Sequence, residues 1–110
     1  MSADRKYDAV WCVVMFDLPT ETKAQRHDAT KFRKLLVDSG FAMLQYSVYG
    51  KYSPSIHTNN SIERIIRASL PANGEVRIFH LTDCQWANAT RFVSKKPTQP
   101  ESRPDQLQLF

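Results

Sequence analysis

At 110 residues and 42% hydrophobic content, the chain has the size of one domain, or of one domain with a tail. Its net charge is +4, rising to +5 without residues 97–110, so the body is basic, a balance compatible with a nucleic-acid partner. Two cysteines, Cys12 and Cys84, make no disulfide framework, and the charged residues 2–8 do not read as a secretory leader; two reduced thiols in a cytoplasmic protein are expected.

The first element is an apolar run over residues 9–16, A-V-W-C-V-V-M-F, that ends on Asp17 and the turn Leu18-Pro19-Thr20. It is rich in β-branched and aromatic residues and too short to span a membrane. It lacks polar alternation, which predicts a strand covered on both faces. The chain's own helices can cover one face. A second copy of the chain is expected to cover the other, which would bring two Asp17 residues near one two-fold axis.

Thr20 or Thr22 can cap a helix that runs to about Ser39, with Gly40 as its left-handed stop. At 100° per residue, Ala29, Phe32, Leu35 and Leu36 share one side. Lys23, Arg26, His27, Thr30 and Lys34 share the other, nearly without acidic residues, which leans the stripe towards phosphate contact. Residues 41–52 read as two short strands around a bend near residues 45–47. Residues 54–59 read as a loop. Asn60 with Glu63 then reads as a capping box, and Ile62, Ile65, Ile66 and Leu70 as the buried side of a second helix, with Arg64 and Arg67 turned away.

Residues 71–74 form a turn, and residues 75–82 a last clear strand whose His80 reads as a satisfied core or interface histidine. A further strand is expected over residues 90–95, placed to add to the sheet edge of a partner subunit. The order β-α-β-β-α-β is that of an α+β, ferredoxin-like sandwich, here a homodimer through sheet faces with an extra C-terminal strand. The ferredoxin-like domain is assigned to residues 1–96, and residues 97–110 to an extended tail. That tail ends Gln106-Leu107-Gln108-Leu109-Phe110, apolar enough to predict a docking peptide.

V-M-F-D-L-P (14–19), K-F-R-K-L-L (31–36), G-F (40–41), L-Q-Y-S-V-Y (44–49) and R-I-F-H-L-T-D (77–83) together resemble the small CRISPR-associated adaptation protein. This is the non-integrase subunit of the spacer-acquisition complex, in the form found beside single-effector systems. The resemblance covers about residues 7–93. It implies a ferredoxin-like homodimer that bridges two integrase dimers and holds a double-stranded prespacer, with antiviral defence as its role. The family is also described as metal-dependent endonucleases acting on RNA or DNA, and its metal-binding aspartate matches Asp17. Cys84-Gln85-Trp86 departs from the family, where a Lys-Gln-aromatic stretch is expected, so one basic side chain is missing at that corner.

Two function classes follow. The leading one is a non-catalytic, DNA-bridging subunit, with Lys23, Arg26, His27, Arg33 and Lys34 of the first helix as backbone contacts, and Lys51, Arg77 and Arg91 as lesser candidates. The alternative is an endonuclease in which paired Asp17 residues bind Mg²⁺ across the dimer, since magnesium is satisfied by one or two carboxylates plus water and phosphate. The bland reading of Asp17 is that it opens the turn before Pro19. An RNA-recognition module of the RRM kind fits the strand order, but no segment matches its aromatic signature. Gln106, Leu107, Leu109 and Phe110 are assigned to partner binding, either as a strand or anchor on the integrase subunit or, through Q-L-Q-L-F, on the replicative sliding clamp. No membrane partner is expected.

Overall fold

A computed structural model describes residues 10–54, 56–94 and 96–98. Its elements run β1 (Trp11–Asp17), α1 (Lys23–Asp38), β2 (Ala42–Gln45), β3 (Val48–Tyr52), α2 (Ile56–Ala68), β4 (Glu75–Leu81), α3 (Asp83–Ala87), β5 (Arg91–Val93) and β6 (Lys96–Thr98). The first four strands form one antiparallel sheet in the order β2-β3-β1-β4. With α1 and α2 inserted between them, this is the ferredoxin-like α+β arrangement that the element order predicts.

Strand geometry sends alternate residues of β1 to opposite faces. Cys12, Val14 and Phe16 join Phe32 and Leu36 of α1, Ile62 and Ile66 of α2, Phe41 and Tyr49 in the buried core. The Phe16 ring meets Phe32 edge-on at 5.2 Å between centroids and stacks on Tyr49 at 5.7 Å. On the other face Trp11 and Val13 are buried, but Met15 is 41% exposed and Asp17 is open to solvent. Full cover on both faces therefore does not hold along the whole strand.

Much of the cover at Trp11 is supplied by α3, a short helix absent from the elements expected above. The Trp86 ring stacks on Trp11 at 4.1 Å and 14° between planes, and Tyr52 meets Trp11 edge-on at 5.5 Å. The indole N–H of Trp11 donates to Asp83 Oδ1 at 3.1 Å. Thr82 caps this short helix through a box with Gln85, each side chain bonded to the other's backbone N–H. Strand 75–82 accordingly stops at Leu81.

Helix α1 is capped by Thr22, again boxed with Gln25, and ends at Ser39 and Gly40 at φ +95°. Helix α2 starts at Ile56, so the expected loop over residues 54–59 is largely helix, and Asn60 lies inside it and caps nothing. Glu63 binds His80 and Arg67 instead. Of the stripe expected to be buried, Ile62 and Ile66 are, whereas Ile65 and Leu70 are 47% and 49% exposed, Leu70 lying beyond the helix end. Ile65 is turned about 100° round the helix from Ile66, and Leu70 has left the helix, so both fall off the buried line. The extra strand is present as β5, paired antiparallel with β6 in a two-stranded ribbon. Residues 99–110, which include Gln106, Leu107, Leu109 and Phe110, lie outside the described residues.

Candidate functional site

The C-terminal end of β1 is built by three local constraints. Antiparallel pairing sets Asp17 directly opposite Glu75 and Met15 opposite Arg77, which puts these four residues on the face away from the helices. The turn before β4 passes so close that a Cβ on Gly74 would lie 2.6 Å from the Asp17 carbonyl oxygen, and Gly74 has φ +98°. Only glycine suits that position. The turn between β2 and β3 folds over the same strand end: Ser47 takes φ +62°, and the Phe16 N–H donates to its carbonyl at 3.1 Å. Met15, Phe16, Asp17, Tyr46, Ser47, Val48, Glu75 and Arg77 together line an open hollow of about 400 Å³.

Asp17 is thus exposed, at the strand end, and faced by a second carboxylate that sequence reasoning missed. The pairing register supplies Glu75, which no local pattern announces. Glu75 is partly neutralised by Arg77, whose Nη2 donates to its Oε2 at 3.2 Å. Both side chains of this pair are well exposed, so it holds them loosely. Among the described residues no group of three His, Cys, Asp or Glu side chains could hold a metal ion. The donor set of this chain at this place is two hard carboxylates, of the kind and number that magnesium accepts from a protein before water and phosphate complete its shell.

The basic candidates separate into groups. Lys23, Arg26, His27, Thr30 and Lys34 are all exposed on α1. Arg26 also closes the loop before its helix, donating through Nη1 to the carbonyls of Thr20 and Glu21 at 3.0 and 3.2 Å. Lys34 pairs with Asp38 one turn on at 2.9 Å, so the stripe is less free of acid than its sequence suggests. Arg33 is half-buried and lies over two rings, with its guanidinium carbon 5.9 Å from the Phe16 centroid and 5.7 Å from that of Tyr46. Arg77 lies in the hollow, Arg91 is on the separate ribbon, and Lys51 belongs to the helix-covered face beside Gly40. The structure does not gather these residues into one patch: the α1 row and the β1 end are two places.

One further constellation has the order of a nucleophile set. Cys12 lies opposite His80 on the helix-covered face, and His80 Nε2 is 2.8 Å from Glu63 Oε1. Burial, reinforced by the negative Glu63, pushes the Cys12 thiol up to about 12, and the side chain has no solvent access. A thiol in that state is not a nucleophile at neutral pH. The cluster is structural, and His80 is the satisfied histidine that its sequence context predicts. Both cysteines are free.

No helix among the described residues is long and apolar enough to cross a membrane. Residues 10–89 match the family described as CRISPR associated protein Cas2. Three similar proteins each carry the name CRISPR-associated endoribonuclease Cas2. That of Flavobacterium psychrophilum is 39% identical over 105 residues, covering 96% of this chain and 91% of its own. That of Paracidovorax avenae is 43% identical over 104 residues, with 94% and 96% covered. That of Parvibaculum lavamentivorans is 42% identical over 101 residues, with 92% and 100% covered. The matched region runs from the first strand past the tryptophan-bearing helix, and it takes in both the β1 end and the α1 row: the chain belongs to the Cas2 family of CRISPR-associated proteins.

Proposed function

We propose that this protein serves CRISPR adaptation as a dimeric subunit that bridges integrase dimers and holds prespacer duplex DNA. The observation that carries this reading is the exposed row Lys23, Arg26, His27, Thr30 and Lys34 along one side of a 16-residue helix. Holding a duplex asks only for cations spaced along a backbone, without reacting geometry. The sheet face bearing Met15 and Phe79, both partly exposed, supplies the surface for a second copy. Pairing there would set two α1 rows outward on opposite sides of one particle.

Binding of a blunt duplex between 50 and 200 mM salt tests this. With 6–10 phosphate contacts per dimer, affinity should fall roughly a thousandfold or more. Lys23→Glu with Lys34→Glu should weaken it further and flatten the salt slope by about one for each phosphate no longer neutralised. A flat salt response sinks the reading. Co-purification of the integrase subunit with and without residues 104–110 tests the bridging role of the tail. A sliding-clamp pull-down with the same pair tests the docking-peptide alternative.

A second reading, a metal-dependent endonuclease acting on RNA or DNA, is favoured by the opposed Asp17 and Glu75 and by the endoribonuclease name of the relatives. Asp17, aided by Glu75 and by the second copy's aspartate, would hold Mg²⁺, which when bound polarises a phosphodiester and lowers the pKa of a water. The chain's own part is positioning: Gly74 and the Ser47 carbonyl fix the strand end, and Arg77 offsets the charge of Glu75. Asp17→Ala separates the two readings. It should abolish metal-dependent cleavage in either case, and leave spacer acquisition intact only if the first holds.

A further inference from the structure

Tyr46 is 79% exposed, the most exposed large hydrophobic side chain among the described residues. A single surface aromatic needs no explanation. This one differs in being held in place. Its turn is pinned by the hydrogen bond from the Phe16 N–H to the Ser47 carbonyl and by the left-handed backbone of Ser47. The Arg33 guanidinium approaches its ring at 5.7 Å while also lying over Phe16, so the tyrosine is tied to the core through a shared cation. The result is a fixed aromatic surface at the rim of the hollow that contains Asp17, Ser47, Glu75 and Arg77.

We propose that Tyr46, backed by Arg33, is a stacking platform for one unpaired base of a single-stranded nucleic acid. The chemistry of the surroundings fits a nucleotide. Its base would lie on the free ring surface, its phosphate would meet Arg77 in the adjoining hollow, and its hydroxyl or amino donors would find acceptors in the Asp17, Glu75 and Ser47 oxygens. The hollow, at about 400 Å³, is roomy enough for such a unit. A paired base inside a duplex cannot reach the ring, because its faces are already stacked on its neighbours. The platform is therefore selective for single strands, ends and bulges, and it uses none of Lys23, Arg26, His27, Thr30 and Lys34, the exposed α1 row on which the duplex reading rests. It needs neither a bound metal nor the duplex reading to hold.

The test uses the full chain without divalent metal, so that no strand is cut. Fluorescein-labelled dT20, rU20 and a blunt 20-bp duplex are titrated at one fixed salt concentration. Tyr46→Ala should weaken binding of one or both single strands roughly tenfold or more, while changing duplex binding less than twofold. Tyr46→Phe, which keeps the ring, should restore single-strand affinity to within about twofold. Unchanged circular dichroism in both variants confirms that the exposed position is replaced without loss of fold. A 2-aminopurine placed in the strand should be quenched by the parent and by the phenylalanine variant, and not by the alanine variant. Retained single-strand affinity in Tyr46→Ala overturns the proposal, as does an equal loss on the duplex. If the α1 charge reversals abolish duplex binding and leave the quenching intact, the two sites are distinct; duplex binding that fails by itself leaves the platform standing.

Discussion

The two faces of strand β1 are alike at its start, where both are buried, and part company towards its end. Towards the helices, Cys12, Val14 and Phe16 are closed into a core with α1 and α2. Away from them, Trp11 is sealed by the Trp86 ring, and the cover then gives out at Met15 and Asp17. One face is spent on stability. The other grades, within seven residues, from a buried aromatic stack to an exposed carboxylate. An apolar run without alternation therefore signals burial, but does not say where along the strand the burial stops.

Substitutions on each face should sharpen that contrast, beginning with the closed one. Phe32→Ala removes an aromatic side chain packed against Phe16 and should cost about 3–5 kcal/mol in urea unfolding. Trp86→Ala strips the cover from Trp11 and should cost about 2 kcal/mol, less because Trp86 is itself only half-buried. Met15→Glu on the open part should change the stability of the isolated subunit by no more than about 0.5 kcal/mol. It should nevertheless abolish self-association in sedimentation if this face takes a second copy. A loss of stability as large as that of Trp86→Ala would mean that the face is not open.

The smallest effect is expected at Glu63, which ties α2 to β4. Its carboxyl is held below its ordinary value of 4.5, first by the His80 hydrogen bond and also by the charges of His80 and Arg67. A carboxyl lowered in the folded state adds stability that is present above its unfolded pKa and is lost as pH falls through the folded one. Glu63→Gln should therefore be slightly less stable than the parent at pH 7. The difference should shrink below about pH 4.5 and vanish at lower pH, read from urea midpoints across that range.

What the sequence revealed follows from how local each signal is. The strand of β1, the α1 arc of Ala29, Phe32, Leu35 and Leu36, with Leu35 only partly buried, and the stop at Gly40 depend on near neighbours, and all are in place. The Asn60 box failed because the helix starts four residues earlier, at Ile56, which leaves Asn60 inside it and Glu63 bound to His80 and Arg67. Helix α3 was missed although Thr82 and Gln85 repeat the box that starts α1, because a five-residue helix has no periodicity to notice. Glu75 could not be placed opposite Asp17 without the register of two strands nearly sixty residues apart. Asp17 itself was legible, because a charge at the end of a buried run is conspicuous in one dimension.

The stacked indoles have a practical consequence. Trp11 and Trp86 are the only tryptophans in the chain, so its tryptophan emission arises from a single spot on the sheet, next to the surface through which a second copy would attach. The molecule thus carries its own optical gauge. Undoing the helix that bears Trp86, or pressing a neighbouring subunit against it, should register as a change in colour or brightness with no dye added.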